Sequence, residues 1–501
     1  MKHLSSARIS QIVFLIAFLV LFATTEYRGS DQISLALNSF FRANPLVGIS
    51  YLLSAKAWYA LLLPAFIVLI LSAVLGRFFC GWICPLGTIL DFCSPFIRRT
   101  APLRFLKGNL KYYVLFTLLF AALFGLNLAG LLDPLAILLR FLTFSLYPLL
   151  GLLAKEGWVD LYRIIGDSRD SLEGGYSFLR SYVLPFRDTF FPLAFFSLFL
   201  FLGIVALEWF ERRNWCRNLC PLGTLLGLVS RFSLFKRLPA KLCGDCGDCK
   251  AHCPTGFDTE ILQKNDCILC MDCQLKCPSR RVRFRPGFTN NVRTPYLPER
   301  RVFVTGLVSG FLASQVLTER VPSSTASTLL RPPGAQDERE FLKKCVRCGE
   351  CMKVCLRNAL YPTGFQTSIS ALYTPMLVAR LGYCEYNCNL CGQVCPTGAI
   401  PRLPLESKKK AVIGRAVFDK NHCLPYERKL NCMVCEEHCP VPDKAIRFEE
   451  TKEVNSKGNS FILKRPYVVD ELCIGCGICE YVCPVEERAG VRVYPLSKRK
   501  R

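Results

Sequence analysis

Histidine is nearly missing from this chain: His3, His252, His422 and His438 are the only imidazoles in 501 residues. None of them lies in an apolar run, so a membrane haem held between two histidines is excluded. No C-x2-C-H motif occurs, which excludes covalently attached c-type haem. A G-x-G-x-x-G turn after a strand and a Walker loop are missing too, so the chain shows no nucleotide or dinucleotide site of its own. No small-residue cleavage site precedes Tyr27, and the basic start Met1–Ser10 with its apolar run reads as a retained signal anchor. Acidic residues are scarce beside basic ones, 39 against 63, which leaves a formal net charge of +24. Nucleic-acid binders share that balance. Here the chain is 51% hydrophobic, and Lys and Arg flanking long apolar runs are what a membrane protein requires. No nucleic-acid partner is expected.

Apolar runs and cysteine are what the chain has in quantity. Ile9–Thr25, Ala57–Gly76, Tyr112–Leu132 and Thr189–Leu207 carry no charge, and each is near the ~20 residues of a transmembrane helix. A backbone in lipid must satisfy its own hydrogen bonds, so all are predicted helical. A further run, Val302–Thr318, contains Thr305, Ser309, Ser314 and Gln315. It fits a fifth span or a buried helix of a soluble part. Pro134–Ala154 is interrupted by Arg140 and Pro148 and reads as an interfacial or re-entrant helix on the outer side.

Basic residues set the orientation. Lys2 and Arg8, then Arg77, Arg98, Arg99, Arg104, Lys107 and Lys111, then Arg280, Arg281, Arg283 and Arg285 belong on the cytoplasmic side. Glu26–Lys56 and Asp133–Asp188 mix both signs and belong outside. From Leu330 the chain reads as soluble, with strand-like runs at Ala411–Phe418 and Phe461–Val469 and no long helix. The predicted architecture is multidomain: an α-helical transmembrane bundle of four spans plus a fifth, with α+β ferredoxin-like domains. Residues 1–235 form the membrane domain and 236–297 a cytoplasmic two-cluster domain. Residues 298–320 form the connecting span, and 330–501 a periplasmic four-cluster domain.

Of 29 cysteines, 24 fall into six motifs of four. The first is Cys243, Cys246, Cys249, Cys253; the second is Cys267, Cys270, Cys273, Cys277. The third is Cys345, Cys348, Cys351, Cys355; the fourth is Cys384, Cys388, Cys391, Cys395. The fifth is Cys423, Cys432, Cys435, Cys439; the sixth is Cys473, Cys476, Cys479, Cys483. Three close thiolates wrap three irons of a cubane, and a fourth before proline reaches the other cluster of a pair. Six [4Fe–4S] clusters are expected. Structural zinc uses separated C-x2-C pairs and explains such repetition poorly. Close triplets cannot all pair as disulfides.

Cys277 is assigned to the cluster of Cys243, Cys246 and Cys249, and Cys253 to that of Cys267, Cys270 and Cys273. Among the last four motifs, nested exchange (third with sixth, fourth with fifth) and sequential exchange are both open, with nested preferred. Leu356 replaces the proline after Cys355, and an insertion separates Cys423 from Cys432; neither change removes a ligand.

Five cysteines remain: Cys80, Cys84, Cys93, Cys216 and Cys220. Cys80-Gly-Trp-Ile-Cys84-Pro-Leu-Gly87 matches Cys216-Arg-Asn-Leu-Cys220-Pro-Leu-Gly223, which points to an internal duplication. Thiols at i and i+4 share a helix face. The two pairs could jointly hold a further metal or redox site, or pack helix ends as small buried side chains.

On the two C-x3-C-P-L-G turns, Gly81-Trp82, and the ferredoxin motifs after the fourth run, residues 1–290 resemble the NapH-type membrane ferredoxins of bacterial quinol-linked respiration. On Leu330-Arg-Pro-Pro-Gly-Ala335, Phe341-Leu-Lys-Lys-Cys345-Val-Arg-Cys348-Gly and the last three motifs, residues 298–501 resemble NapG/MauM-type four-cluster ferredoxins. Arg300-Arg301 before an apolar run is similar to a twin-arginine export signal; two flanking arginines under the positive-inside rule explain it equally.

The resemblance implies a component of a quinol dehydrogenase in the bacterial cytoplasmic membrane, with its N-terminus inside. Menaquinol or ubiquinol would be the substrate, and a periplasmic oxidoreductase of the nitrate-reductase type, or a cytochrome, the acceptor. Asp133 and Arg140 are candidates for a quinol site, as is Asp91, because ionisable residues near membrane depth often mark function. Alternatively a cytoplasmic ferredoxin or flavoprotein docks on Arg280–Arg285 and feeds a conduit without quinol chemistry. An assembly or sensing factor would need far fewer clusters.

Overall fold

The computed structural model describes residues 5–27, 29, 31–33, 36–98, 110–165, 173–177, 179, 184, 189–238, 253–255, 267–277, 282–286, 299–319, 329–335, 337–365, 367–454 and 460–496. Cys243, Cys246, Cys249, Arg280 and Arg281 lie outside the described residues, as do Lys2, Arg99, Arg104 and Lys107.

The described residues between 5 and 232 form helices joined by turns, with no strand among them. Two helical stretches are long and apolar enough to cross a membrane: Ser6–Thr24 and Pro134–Arg163. Pro45–Ala55, Ala60–Leu75, Leu110–Leu123 and Ala194–Trp209 are apolar but only 10–17 residues long. The first expected run is therefore found at spanning length, and Ala57–Gly76, Tyr112–Leu132 and Thr189–Leu207 are shortened. Lys56 is left-handed (φ 50°), and the helix after it opens only at Ala60. Gly125 (φ 88°) ends the third run, and its last residues form a separate turn, Ala129–Leu132. Tyr147, within Pro134–Arg163, and Thr189 and Phe191 after it line the same cavity.

Four helices share one construction at their N-termini. Each begins X-Pro-Leu: Pro45–Ala55 after Asn44, Pro85–Cys93 after Cys84, Pro134–Phe141 after Asp133, and Pro221–Val229 after Cys220. Proline suits the first helical position because its missing N–H has no partner there and its φ is preset. A short helix precedes each: Asn38–Arg42, Phe78–Trp82, Ala129–Leu132 and Asn214–Asn218. Leu46, Leu86, Leu135 and Leu222 are buried in one core with Phe18, Phe41 and Phe79. A fully buried Leu or Phe contributes about 1.5–3 kcal/mol relative to exposure.

The helix Arg300–Glu319 lies along Leu110–Leu123. Gly306 and Gly310 leave room for Phe116 and Phe120, and the Ser309 and Thr117 hydroxyls are 2.7 Å apart. Phe303 meets Phe116 and Phe311 meets Phe124, so the two helices run parallel. Small residues four apart permit this close approach. Exposed Ile9, Val13, Ile16, Ile67, Ile70, Phe195, Phe199, Val304, Val308 and Leu312 leave the outside of the helical part broadly apolar.

Beyond Leu329 the longest described helix is Glu338–Lys344, seven residues. Short antiparallel pairs frame the cysteine motifs: Leu360–Pro362 with Pro375–Leu377, and Arg415–Phe418 with Val491–Tyr494. The hairpin Ile446–Val454 with Ser460–Val468 projects between the fifth and sixth motifs. Val346 and Cys348 belong to the core of the helical part, while Phe144, Phe191 and Leu193 belong to that of the C-terminal part. The two parts share a packed junction.

Candidate iron–sulfur centres and the helix ends that receive them

Cys345, Cys348, Cys351 and Cys395 line one cavity of about 350 Å³. Cys423, Cys432, Cys435 and Cys483 line another of about 340 Å³. Each holds three cysteines of one motif and the last of the next. Cys355 stands beside Cys388, Cys391 and Cys384. Cys439 stands beside Cys473 and Cys476. Exchange is therefore sequential, third with fourth and fifth with sixth, and the preference for nesting is corrected. The short strand pairs explain it, since Arg415–Phe418 and Val491–Tyr494 close around the fifth and sixth motifs together. The two pairs also touch: the Cys384 amide donates to the Cys476 carbonyl at 2.8 Å.

These cavities suit clusters. Backbone amides of Ala359, Ile400 and Gly490 donate to the sulfurs of Cys355, Cys395 and Cys483 at 3.2, 3.4 and 3.3 Å, and such hydrogen bonds tune cluster potentials. Burial pushes the Cys423, Cys435 and Cys476 thiols up to about 12, so without metal they remain protonated. Cluster insertion must displace those protons. Among the described residues no three His, Cys, Asp or Glu side chains converge tightly enough for a single metal ion. A cubane gives each thiolate its own iron and so holds its ligands farther apart.

The second motif follows the same rule. Cys253 stands beside Cys270 with Cys267, and Cys277 is buried nearby. The strand Phe235–Leu238 pairs antiparallel with Arg283–Pro286 around this unit.

Cluster loops meet the helical part at both ends through glycine. At one end a Cβ on Gly81 would stand 2.0 Å from the Ile268 carbonyl oxygen; at the other, a Cβ on Gly130 would stand 1.8 Å from that of Val346. Gly81 precedes the Cys84 cap by three residues and Gly130 precedes the Asp133 cap by three. Ile268 and Val346 each follow the first cysteine of their motif. The next residues, Leu269 and Arg347, are both left-handed, with φ 56° and 55°. The Leu269 carbonyl accepts from Trp82 Nε1 at 3.0 Å, and the Arg347 carbonyl accepts from Arg140 Nη1 at 3.5 Å. One loop conformation is received in one way at two places.

Beneath the Gly81 end, Cys80, Cys84, Cys216 and Cys220 come together as mutual neighbours. Cys220 Sγ accepts from the Gly223 amide at 3.3 Å, while Cys84 holds the equivalent cap position. Two buried arginines brace the group reciprocally. The Arg213 guanidinium lies 3.2 Å from a Cβ position on Gly87, and Arg77 Nη2 lies 2.7 Å from one on Gly223. Arg77 and Arg213 each precede their first cysteine by three residues, a spacing the cysteine pattern alone did not single out. Cys93 ends the Pro85 helix away from this group.

The residues expected at a quinol site are occupied otherwise. Asp133 is fully buried; Oδ1 accepts from Asn44 Nδ2 at 2.6 Å and Oδ2 from the Ala136 amide at 3.0 Å. Arg140 is 1% exposed, donates to the Leu131 carbonyl at 2.9 Å, and stacks 4.3 Å from the Tyr373 ring. Asp91 is paired with Arg213 at 2.7 Å and Arg212 at 3.1 Å.

Known proteins agree with this chemistry. A family described as a 4Fe-4S binding domain matches residues 57–104 and 193–239, the segments holding the paired C-x3-C turns. A 4Fe-4S dicluster domain family matches residues 430–486, across the fifth and sixth motifs. The ferredoxin-type protein NapH of Haemophilus influenzae is 26% identical over 57% of this chain and 90% of its own length. The ferredoxin-type protein NapG of Escherichia coli is 38% identical over 26% of this chain, and the match spans 58% of NapG. The methylamine utilization ferredoxin-type protein MauM of Methylorubrum extorquens is 37% identical over 26% of this chain and 63% of its own. No solved structure matches the chain. Cysteine motifs, docking glycines and relatives together make this an iron–sulfur electron-transfer protein, NapH-like in its first part and like the ferredoxin-type proteins NapG and MauM in its last.

Proposed function

We propose that the protein is a quinol dehydrogenase module of the bacterial cytoplasmic membrane. It carries six [4Fe–4S] clusters and passes electrons to a periplasmic oxidoreductase of the nitrate-reductase type. The observation that carries this reading is the equivalent docking of a cluster loop at each end of the helical part, at Gly81 and at Gly130. A conduit needs centres at both mouths. The broad apolar exterior of the helices supports a lipid environment, since soluble monomers rarely expose such a patch. In this reading the Gly81 end faces the cytoplasm and the Gly130 end the periplasm. Arg300–Glu319, parallel to Leu110–Leu123, brings the chain across to the four-cluster part. Cys80, Cys84, Cys216 and Cys220, grouped beneath the Gly81 end, act as a further thiol redox centre.

The same docking favours a second reading. Cys267, Cys270 and Cys273 sit directly on the end that holds the four grouped cysteines, so a cytoplasmic ferredoxin could supply electrons there. Reduction of the purified, cluster-loaded protein separates the two. Menaquinol-driven reduction, followed by low-temperature paramagnetic resonance, supports the first. Reduction by ferredoxin with none by quinol selects the second.

A further inference from the structure

A cavity of about 470 Å³ lies at the Gly130 end, between the helical part and the third cysteine motif. Glu26, Thr143, Tyr147, Thr189 and Phe191 line it from the helices, and Cys355 from the cluster side. The helix wall here is irregular: Leu142–Leu146 form a single π-helical turn, a feature that recurs at functional sites. That turn carries Thr143, which is 3% exposed. Its Oγ1 has no hydrogen-bond partner among the described residues. A buried hydroxyl left unpaired costs about 1–3 kcal/mol, which a ligand oxygen would offset.

The lining also offers a base, Glu26, held from one helical turn beyond Thr143. Tyr147 donates its hydroxyl to Glu26 Oε2 at 2.5 Å. Lys353 Nζ stands 3.9 Å from the same carboxylate oxygen and donates to the Thr25 carbonyl at 2.9 Å. Phe191 and Tyr27 give the apolar faces that a flat ring needs. Cys355, which completes the site of Cys384, Cys388 and Cys391, sits on the wall itself. Leu356, at the position where the other motifs carry proline, lines the cavity too.

We propose that this cavity binds the quinol head group, with Thr143 holding a quinol oxygen and Glu26 receiving its proton. The proposal rests on the quinol reading above and moves that site away from Asp133, whose two carboxylate oxygens are engaged by Asn44 and Ala136, and from Arg140, whose two Nη atoms donate to the Arg347 and Leu131 carbonyls. Oxidation of a quinol to a quinone breaks two O–H bonds and releases two protons and two electrons. The Glu26 carboxylate takes the first proton and becomes the acid; the second passes to water at the cavity mouth. Oxidised iron–sulfur centres are the acceptors, one electron each, and Cys355 marks the side on which electrons leave.

The test uses the whole cluster-loaded protein. An azido-naphthoquinone is photo-crosslinked to the wild type and mapped by mass spectrometry, and labelled peptides should include residues 143–147 or 352–356. Binding of a redox-inert alkyl-hydroxyquinoline N-oxide, read by fluorescence quenching, should weaken about tenfold in Thr143→Val, one lost hydrogen bond. Glu26→Gln should bind the probe within about twofold yet be reduced by quinol about 100-fold more slowly, the loss of a positioned base. Dithionite should still reduce that variant fully, with iron content unchanged. Labels confined to other peptides, or a Glu26→Gln variant reduced at the wild-type rate, overturn the assignment and leave the quinol reading standing. A wild type that neither binds the probe nor accepts electrons from quinol overturns both.

Discussion

The two ends of the helical part use one backbone design for opposite purposes. At the Gly81 end, the caps of two Pro-Leu helices are Cys84 and Cys220, and Cys80 and Cys216 join them. At the Gly130 end the caps are Asn44 and Asp133, and they hydrogen-bond to each other at 2.6 Å. A cap side chain must accept an amide, and oxygen does so better than sulfur. The polar end therefore satisfies its helices at the lower cost. The cysteine end gives up cap strength and gains four thiols that can ligate or change oxidation state. Charge follows the same division. Arg77 and Arg213 are buried against the thiol group, whereas Arg140 at the other end is spent on two carbonyls and an aromatic face. A shared fold thus says where a centre can be placed; the cap residue says whether one is.

The sharpest way to break this comparison is to exchange the caps. Cys84→Ser with Cys220→Ser keeps hydroxyl caps but removes two ligands. Electron transfer through the protein should fall at least about tenfold, while the clusters of the last four motifs keep their paramagnetic signals. An unchanged rate would show that the thiols only pack a helix end. Asp133→Ala at the opposite end should act on stability instead. It strips the amide of Ala136 and leaves Asn44 Nδ2 unpaired in a fully buried site, costing about 2–4 kcal/mol. Thermal unfolding followed by circular dichroism measures it, and a loss of electron transfer larger than the loss of folded protein would contradict the bracing role.

Next in size are the docking glycines. Gly81→Ala and Gly130→Ala each drive a methyl into a backbone carbonyl, and overpacking of this kind costs about 1–3 kcal/mol. The effects should be local. Hydrogen exchange should quicken around residues 267–273 in the first variant and around 345–351 in the second, without crossing over. Equal loosening at both ends in either variant would mean that the helical part transmits the strain as one body.

The sequence disclosed the two ends unequally. The six cysteine motifs stood out because cluster ligation imposes a spacing, and 21 of their 24 cysteines, all but Cys243, Cys246 and Cys249, lie among the described residues. The paired C-x3-C turns were legible because they repeat in words. The other two members of the set, Asn44-Pro45-Leu46 and Asp133-Pro134-Leu135, share only proline and leucine with them, and a dipeptide carries too little information to stand out. What all four share is a cap followed by Pro-Leu; a glycine three residues before the cap marks only the two that receive a cluster loop, Gly81 and Gly130, whereas Phe41 and Arg217 stand there in the others. Cluster pairing was unreadable because the fourth thiolate goes wherever the strands close, and strands as short as Leu360–Pro362 leave almost no periodicity. Helix lengths were overstated for a related reason. Hydropathy counts apolar residues, but Gly125 in a left-handed conformation ends a helix inside the stretch Tyr112–Leu132, which remains apolar beyond it.

The smallest expected effects test whether the two dockings are equally robust. At the Gly81 end, Trp82 Nε1 donates to the Leu269 carbonyl, and Trp82→Phe keeps the ring while deleting that bond. At the Gly130 end the Lys343 carbonyl accepts twice, from Ser54 Oγ at 2.6 Å and Asn127 Nδ2 at 3.3 Å. A net hydrogen bond is worth about 0.5–1.5 kcal/mol, and the larger loss comes when a buried group is left with no partner. Trp82→Phe should therefore show its whole effect at once, as faster exchange near residue 269. Ser54→Ala and Asn127→Ala should each do little alone, because the other donor remains. The double variant should exceed the sum of the two by a measurable coupling, about 0.5 kcal/mol or more. Strict additivity would show that the two donors hold the C-terminal part independently, and the Gly130 end would then be no better insured than the other.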